Sequence, residues 1–256
     1  MMNSSLPLSV VLISFNEEQN IGRTLEAVKE ISSEIVVVDS HSTDNTVKIA
    51  EGYGAKVFTE DWKGHVAQKN SALEKCSCEW ILSLDCDELP EPELVESIKH
   101  VVEKPTSDGY MLNRRTFYMG KFLKYSWQPD WKLRLFRKDS SPKWGGYDPH
   151  DKLSINGSVE KIDNGDLLHY SYKDIYDHYQ RLVKYSKLAA QSYFDDGKRF
   201  SYGAVLTKPL FAFVKKYFIK LGFMDGFAGF AVALSSFIYV YLKYLFLKEI
   251  QEKENG

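Results

Sequence analysis

A chain of 256 residues with 44% hydrophobic, 27% charged and 14% aromatic residues buries the core of one large domain with an appended segment, which excludes two equal domains and disorder of the bulk. Its net charge of −2 hides an asymmetry: residues 1–109 carry 9 basic against 20 acidic groups, residues 110–150 carry 9 against 3, and residues 203–247 carry 5 lysines against one aspartate. That pattern fits a cation meeting an anionic ligand, or an unevenly charged solvated surface, and argues against nucleic acid, which calls for one continuous basic face.

In chain order, Leu8–Ser14 is a continuous apolar run that ends in Phe15, Asn16 and Glu17. It lacks a basic leader and a small-residue cleavage pattern, so it reads as a buried strand and not a signal peptide. Ile21, Leu25 and Val28 stand at helical spacing in a stretch running to about Ile31, and Ile35–Val38 forms a second strand that ends at Asp39. Asp44–Tyr53 reads as a helix with Thr43 as its cap and Gly54 just past its end. Lys56–Thr59 and Trp80–Leu84 are the third and fourth strands. Alternation of strand and helix predicts an α/β fold with a mostly parallel sheet and flanking helices, and in such sheets ligands bind at the carboxyl ends of the strands. Those ends carry Asn16 and Glu17, Asp39, Glu60 and Asp61, then Asp85 and Asp87. After Pro105 the pattern predicts strands at Gly109–Phe117 and Lys132–Arg137, a hairpin turn at Ile155–Ser158, and helical spacing from Ile175 to Tyr193. The three cysteines, Cys76, Cys78 and Cys86, have no fourth thiol or matching pair for structural zinc and read as reduced.

The sharpest chemical signal is WILSLDCDE over residues 80–88, where an apolar strand delivers Asp85 and Asp87 two residues apart. A hard divalent ion held by one or two carboxylates keeps positions open for phosphate oxygens, which suits Mg2+ or Mn2+; an acidic strand exit is the plain alternative. A phosphatase of the haloacid dehalogenase type also places two aspartates after an apolar strand. It wants Thr or Val where Leu89 stands and an earlier place in the chain.

Leu8–Asn20, Val36–Thr46, Gln68–Ala72 and Asp85–Glu88, taken together and in this order, resemble the family 2 glycosyltransferases of GT-A type, a Rossmann-like fold. Lys132–Arg137, His150-Asp151, Leu168-His169-Tyr170 and Gly222–Gly226 resemble the bacterial subgroup that builds lipopolysaccharide core or related surface glycans. The resemblance implies that Phe15, Asn16 and Glu17 border the nucleotide and that Asp39 binds its base or ribose. Lys69 and Asn70 line the donor cleft, Asp85 faces ribose or metal, and Asp87 ligates the metal. Asp39 and Glu17 each have the simpler role of a carboxylate at a helix N-terminus. Asp151 stands where the subgroup usually has Glu after His and is the expected general base, with Asp148 as the fallback and a structural turn as the alternative. His169 either completes the metal shell or is a satisfied core histidine. Arg134 and Arg137 either touch the diphosphate or a phosphorylated acceptor, or lie on a solvated strand face. Gln128–Trp131 lacks the arginine of the processive synthases' motif, which implies addition of one sugar.

The expected division is residues 1–200 as the glycosyltransferase domain, with a nucleotide half (1–109) and an acceptor half (110–200), followed by an apolar helical segment over 201–256. Residues 226–242 are free of charge, and Pro209–Leu221 interleaves rings with Lys215, Lys216 and Lys220. Such a segment lies in the plane of a membrane interface, packs on protein or a partner subunit, or spans. The whole reading is an inverting, metal-dependent enzyme on the inner face of the cytoplasmic membrane. It moves a sugar from a nucleotide diphosphate donor, a UDP-sugar, to a glycan or glycolipid such as lipopolysaccharide core. A non-catalytic sugar-nucleotide or glycan-binding protein of the same fold is the alternative.

Overall fold

The computed structural model describes residues 6–147 and 150–254. The chain divides into two compact units, Met1–Arg114 with Asp130–His169, and Arg115–Pro129 with Tyr170–Gly256. The expected boundary at residue 200 falls within the second unit.

The first unit begins with strand β1 (Leu6–Ser14), helix α1 (Ile21–Val28), β2 (Ser32–Asp39), α2 (Thr46–Gly52), β3 (Lys56–Thr59), α3 (His65–Glu74) and β4 (Trp80–Ser83). It continues with β5 (Glu88–Pro90), α4 (Pro92–Glu103), β6 (Gly109–Tyr118), β7 (Lys121–Phe122), β8 (Trp131–Arg137), β9 (Lys143–Tyr147), β10 (His150–Ser154) and β11 (Val159–His169); β6 runs on into the second unit and β7 lies there. The sheet order is β3-β2-β1-β4-β8-β6-β11-β5, with β7 paired to β6 and a separate β9–β10 hairpin. Strands β1 to β4 are mutually parallel, and β8 pairs antiparallel with both β4 and β6. The α/β class read from the sequence is the class that forms.

The apolar run of β1 is explained by its central place. Leu8, Val10 and Leu12 pack on one face with Ile35, Val37, Trp80 and Leu82 beneath Leu25 of α1 and Leu94 and Ile98 of α4. Val11 faces the other way, with Val36, Val38, Ile81 and Phe136 against Ala72 and Leu73 of α3. Period-two alternation therefore feeds two cores, and a strand buried on both faces reads as unbroken apolar sequence. Helix α4 crosses β11 so closely that a Cβ on Gly165 would lie 2.2 Å from the Leu94 backbone nitrogen, at a backbone φ of +85°.

Several local expectations are corrected. The helix after Thr43 starts at Thr46 with Asn45 and not Thr43 at the N-cap position, and the Asp44 carboxylate before it accepts the Thr46 N–H at 3.0 Å. Ile155–Ser158 is no hairpin turn, because β10 pairs with β9 and β11 pairs with β5. Helices α3 and α4 were not anticipated: α3 buries Gln68 and Lys69 beside Ala72 and Leu73, a face too polar for apolar periodicity to reveal.

In the second unit, α5 (Ile175–Asp195), α6 (Tyr202–Val214) and α7 (Phe227–Glu254) accompany the Arg115–Pro129 segment. Asp174 caps α5 by accepting from the Asp177 N–H. Tyr118, Leu123, Ala228 and Val232 form a small core beside Trp127 and Tyr172. The Gly222–Gly226 motif works here as a staple. Asp225, 2% exposed, accepts the backbone N–H groups of Lys124, Tyr125 and Ser126 at 2.9, 3.1 and 2.7 Å. Burial opposes its charge, but those three donors outweigh it and hold its carboxyl below the usual range. A Cβ on Gly229 would lie 1.7 Å from the Gly222 carbonyl oxygen, so α7 can start against this turn only with glycine there. Helix α7 is long and apolar enough to cross a bilayer, with mean hydropathy 1.7 and 28% of its most apolar stretch buried.

Candidate active site

At the carboxyl ends of β1 and β2 the register pairs Ser14 with Asp39. Asp39, 1% exposed, accepts from the Ser14 hydroxyl at 2.7 Å and from the Ser42 hydroxyl and N–H at 2.6 and 2.7 Å. Asn16, at a φ of 54°, reaches across to accept the Thr43 N–H at 2.8 Å, while the Glu17 N–H donates to the Thr46 hydroxyl at 2.7 Å. These groups build the loop after β2, and Phe15 beside them is 57% exposed.

The strand-exit aspartates open a chain of alternating charges. Lys69 on α3, 8% exposed, donates to Asp85 at 3.0 Å and to Asp151 on β10 at 2.9 Å, with its ammonium 4.3 Å from the centre of the Trp144 ring. Arg134 on β8, 4% exposed, donates to Asp85 and to Glu88, each at 2.6 Å. Arg114 continues the chain from Glu88 at 3.3 Å to Asp130 at 2.9 Å. Glu88 is fully buried and also accepts the Asp85 N–H at 3.1 Å, which folds the acidic turn back on itself. Burial opposes the charge of Asp85, yet the Arg134 guanidinium and the Lys69 ammonium hold its carboxyl well below the usual carboxylate range. Charge-assisted bonds of this kind are the strong ones, and each charge in the chain has partners of opposite sign on both sides or a terminal one.

Asn70, next to Lys69, spends its amide on Trp144, donating to its carbonyl and accepting its N–H at 2.9 Å each. That clamp fixes the ring against which Lys69 lies. Lys69, Asp85, Arg114, Arg134, Trp144 and Asp151 line a cavity of about 490 Å3. Two buried donors in its wall, Arg134 Nε and Trp144 Nε1, have no partner among the described residues. Asp151 accepts Lys69 through Oδ2, and its Oδ1 has no partner among the described residues. Asp148 lies outside the described residues.

Asp87, two residues beyond Asp85, faces His169 at the end of β11, with Oδ2 and Nε2 3.4 Å apart. Among the described residues no group of three His, Cys, Asp or Glu side chains could hold a metal. Asp87 by itself fits a hard divalent ion, which binds through one or two carboxylates with substrate phosphates completing its shell, and the nitrogen donor of His169 beside it suits a transition ion such as Mn2+ better than Mg2+.

The structure thus gathers Lys69, Asp85 and Asp151 around one cavity, puts Asp87 with His169, and gives Asp39, Asn16 and Glu17 to the loop beyond β2. Arg134 lies on no solvated strand face, and Arg137 pairs with Glu79 and Asp139 over the Trp80 ring. Sequence reasoning gave no role to Glu88, Arg114 or Trp144. A signal existed for Lys69, since it shares a helix face with Ala72, Leu73 and Cys76, where a lysine needs partners.

Residues 9–156 match the family described as glycosyl transferase family 2. A glycosyltransferase of Rickettsia typhi is 32% identical over 96% of this chain and 87% of its own length. The lipopolysaccharide core biosynthesis glycosyltransferase LpsC of Rhizobium meliloti is 31% identical over 94% and 92%. Among solved structures, the mannosyltransferase of Pyrobaculum calidifontis in complex with GDP-Man and Mn2+ gives a TM-score of 0.55 at 13% identity, covering 95% of this chain and 87% of that one. TarS 1-349 of S. aureus in complex with UDP gives 0.50 at 15% identity, covering 96% and 91%. At such identities the likeness is one of fold. With the match covering more than half of the chain, and relatives of nearly equal length agreeing with it, this chain belongs to glycosyl transferase family 2 and has the GT-A type of fold.

Proposed function

We propose that the chain is an inverting glycosyltransferase that adds a single sugar from a nucleotide diphosphate donor, a UDP-sugar, to a hydroxyl of a glycan or glycolipid such as lipopolysaccharide core. The observation that carries this reading is the bridge made by Lys69, one buried ammonium that joins the strand-exit Asp85 to Asp151 in a single cavity. The acceptor oxygen bonds to the anomeric carbon on the face opposite the nucleotide. The bond from that carbon to the diphosphate oxygen breaks, its electron pair leaves with the nucleoside diphosphate, and the hydroxyl proton passes to Asp151 Oδ1. Lys69 orients Asp151 for that transfer by holding its other oxygen. Arg134 Nε and Trp144 Nε1 offer N–H groups to donor oxygens. Asp87 and His169 would hold Mg2+ or Mn2+, which when bound supplies neutralisation of the charge on the departing diphosphate. The nucleotides in the two structural neighbours, and the naming of LpsC for lipopolysaccharide core, support the donor and acceptor classes.

The second unit supports work at the inner face of the cytoplasmic membrane. Leu206, Leu210, Phe211, Phe218, Ile219 and Phe227 are all more than half exposed, among lysines, as an in-plane interfacial segment would be. A panel of nucleotide sugars offered to the purified protein, with mass spectrometry of products, tests the reaction. Transfer or donor hydrolysis with inversion at the anomeric carbon is expected. Donor binding without either would make the chain a sugar-nucleotide-binding protein of the same fold.

A further inference from the structure

A second cavity, of about 450 Å3, lies wholly within the second unit. Its wall carries Arg181, Lys215, Lys216 and Lys220, and no aspartate or glutamate. Arg181 is partly committed, since it donates to Asp177 at 2.9 Å. The three lysines have no carboxylate partner among the described residues; Lys216 is half-buried, while Lys215 and Lys220 are exposed where they line the cavity. Burial, then the ammoniums of Lys220 and Lys215, push Lys216 below its ordinary pKa, the expected effect of like charges gathered without a counter-charge. The lysines come together because the helix widens after Val214 into a π-helical turn, Lys215–Ile219, closed by the Lys220 N–H donating to the Lys215 carbonyl at 2.8 Å. Such turns cost helix geometry and occur frequently at functional sites.

The remaining wall is aromatic, with Trp127, Tyr172, Tyr185 and Tyr239. The hydroxyls of Ser235 and Ser236 both donate to the Val232 carbonyl at 2.9 Å, so they add no free donor and the attraction for an anion rests on the cations. Three ammoniums match a phosphate monoester, with its charge near −2 and three acceptor oxygens, better than a single carboxylate, which would leave most of the positive charge unanswered. Rings that are apolar in body and polar at the tip suit the boundary between headgroup and acyl chain. The π-helical turn leaves Phe218 (55%) and Ile219 (62%) exposed, and the short turn after it, Gly222–Asp225, leaves Met224 (52%) exposed.

We propose that this cavity binds the phosphate-bearing headgroup of a membrane lipid, with the Lys215–Lys220 turn holding the phosphate and the exposed apolar residues of the same segment in the acyl layer. The site rests on the membrane-surface reading above and is independent of the sugar-transfer reading. The test is flotation of the full chain with phosphatidylcholine vesicles carrying phosphatidic acid, and with vesicles brought to the same surface potential by the carboxylate amphiphile cholesteryl hemisuccinate. Preference for phosphatidic acid by about tenfold or more is expected, and Lys220→Ala together with Lys216→Ala should abolish that preference, while Lys184→Ala together with Lys187→Ala, an equal loss of charge at exposed residues outside the cavity, changes it by less than about twofold. Because Lys216 is half-buried, Lys220→Ala alone is measured too, and it should lose at least about threefold. Equal binding to the two anionic vesicles, or equal loss in the Lys184/Lys187 and Lys216/Lys220 variants, would overturn the pocket and leave the membrane reading standing. No flotation with either would overturn both. Glycerol 3-phosphate competing as well as the lipid would overturn the lipid assignment. None of these assays contains donor or acceptor, so their outcome is separate from that of the transfer reaction.

Discussion

Replacing Lys69 by Met removes the cation that two carboxylates share while keeping the length of the side chain. Asp85 keeps Arg134 at 2.6 Å, but Asp151 loses the one partner it has among the described residues. Breaking a buried pair by removing one member costs about 3–5 kcal/mol. Asp151 has a side chain 16% exposed and is reached by some water, so a loss of about 2–3 kcal/mol is expected here. For a chain of this size that lowers the melting temperature by roughly 4–12 °C. Thermal melts of Lys69→Met, Asp151→Asn and the double variant form the assay. Because Asp151→Asn removes the charge stranded by Lys69→Met, the double variant should be more stable than Lys69→Met alone, with a coupling energy of at least about 1 kcal/mol. Strict additivity, or an unchanged melting temperature in Lys69→Met, would refute the bridge.

In the same panel, Asp151→Asn should lower turnover by about 10^2-fold or more with donor affinity near wild type, and normal turnover in steady-state kinetics with the acceptor would dismiss it as the base. Asp87→Asn should abolish the metal-dependent part of donor binding, and calorimetry with UDP and Mn2+ that finds unchanged affinity would take Asp87 out of the metal site. Acid should act through Glu34, whose side chain is 4% exposed: burial raises its pKa, but hydrogen bonds from Lys56, Ser9 and Ser77 bring it down to about 2. With the folded value depressed, the stabilisation is present above the unfolded value and fades as pH falls towards about 2, so about 2 kcal/mol should go between about pH 6 and about pH 3. Denaturant midpoints should show this dependence in the wild type and a flatter one in Glu34→Gln.

The nucleotide half was legible because its strands are short apolar runs punctuated by acidic exits, and periodicity reports burial directly. Helices α3 and α4 escaped the same reading for separate reasons. The buried face of α3 is made of Gln68, Lys69, Ala72 and Leu73, whose partners lie on β9, β10 and the acidic turn, so its stability comes from contacts invisible to local pattern. In α4, Leu94, Ile98 and Val102 do stand at helical spacing, and attention to Pro92 at its first turn would have found it. The motif residues divided in the same way. Asp85 and Asp87 are two residues apart in sequence, but which cation or ring each meets depends on β8 and β11, which arrive 49 and 82 residues later with Arg134 and His169.

The alternation of charge through the site has a consequence for how the enzyme can bind an anionic donor. Asp151, Lys69, Asp85, Arg134, Glu88, Arg114 and Asp130 form an unbroken sequence of opposite charges, so no cation in it is wholly free to meet a diphosphate. Bringing a doubly charged group into the cavity next to Asp85 therefore costs repulsion unless a positive charge comes with it or an existing pair rearranges. Asp87 lies outside that sequence, with His169 as its ion-pair partner among the described residues. The sequence of pairs stiffens the cavity, and Asp87, which it leaves out, is the carboxylate proposed above to take up a divalent ion with the donor. Which of two aspartates that look equivalent in the sequence is tied into the pairs follows from which of them the arginine on β8 reaches.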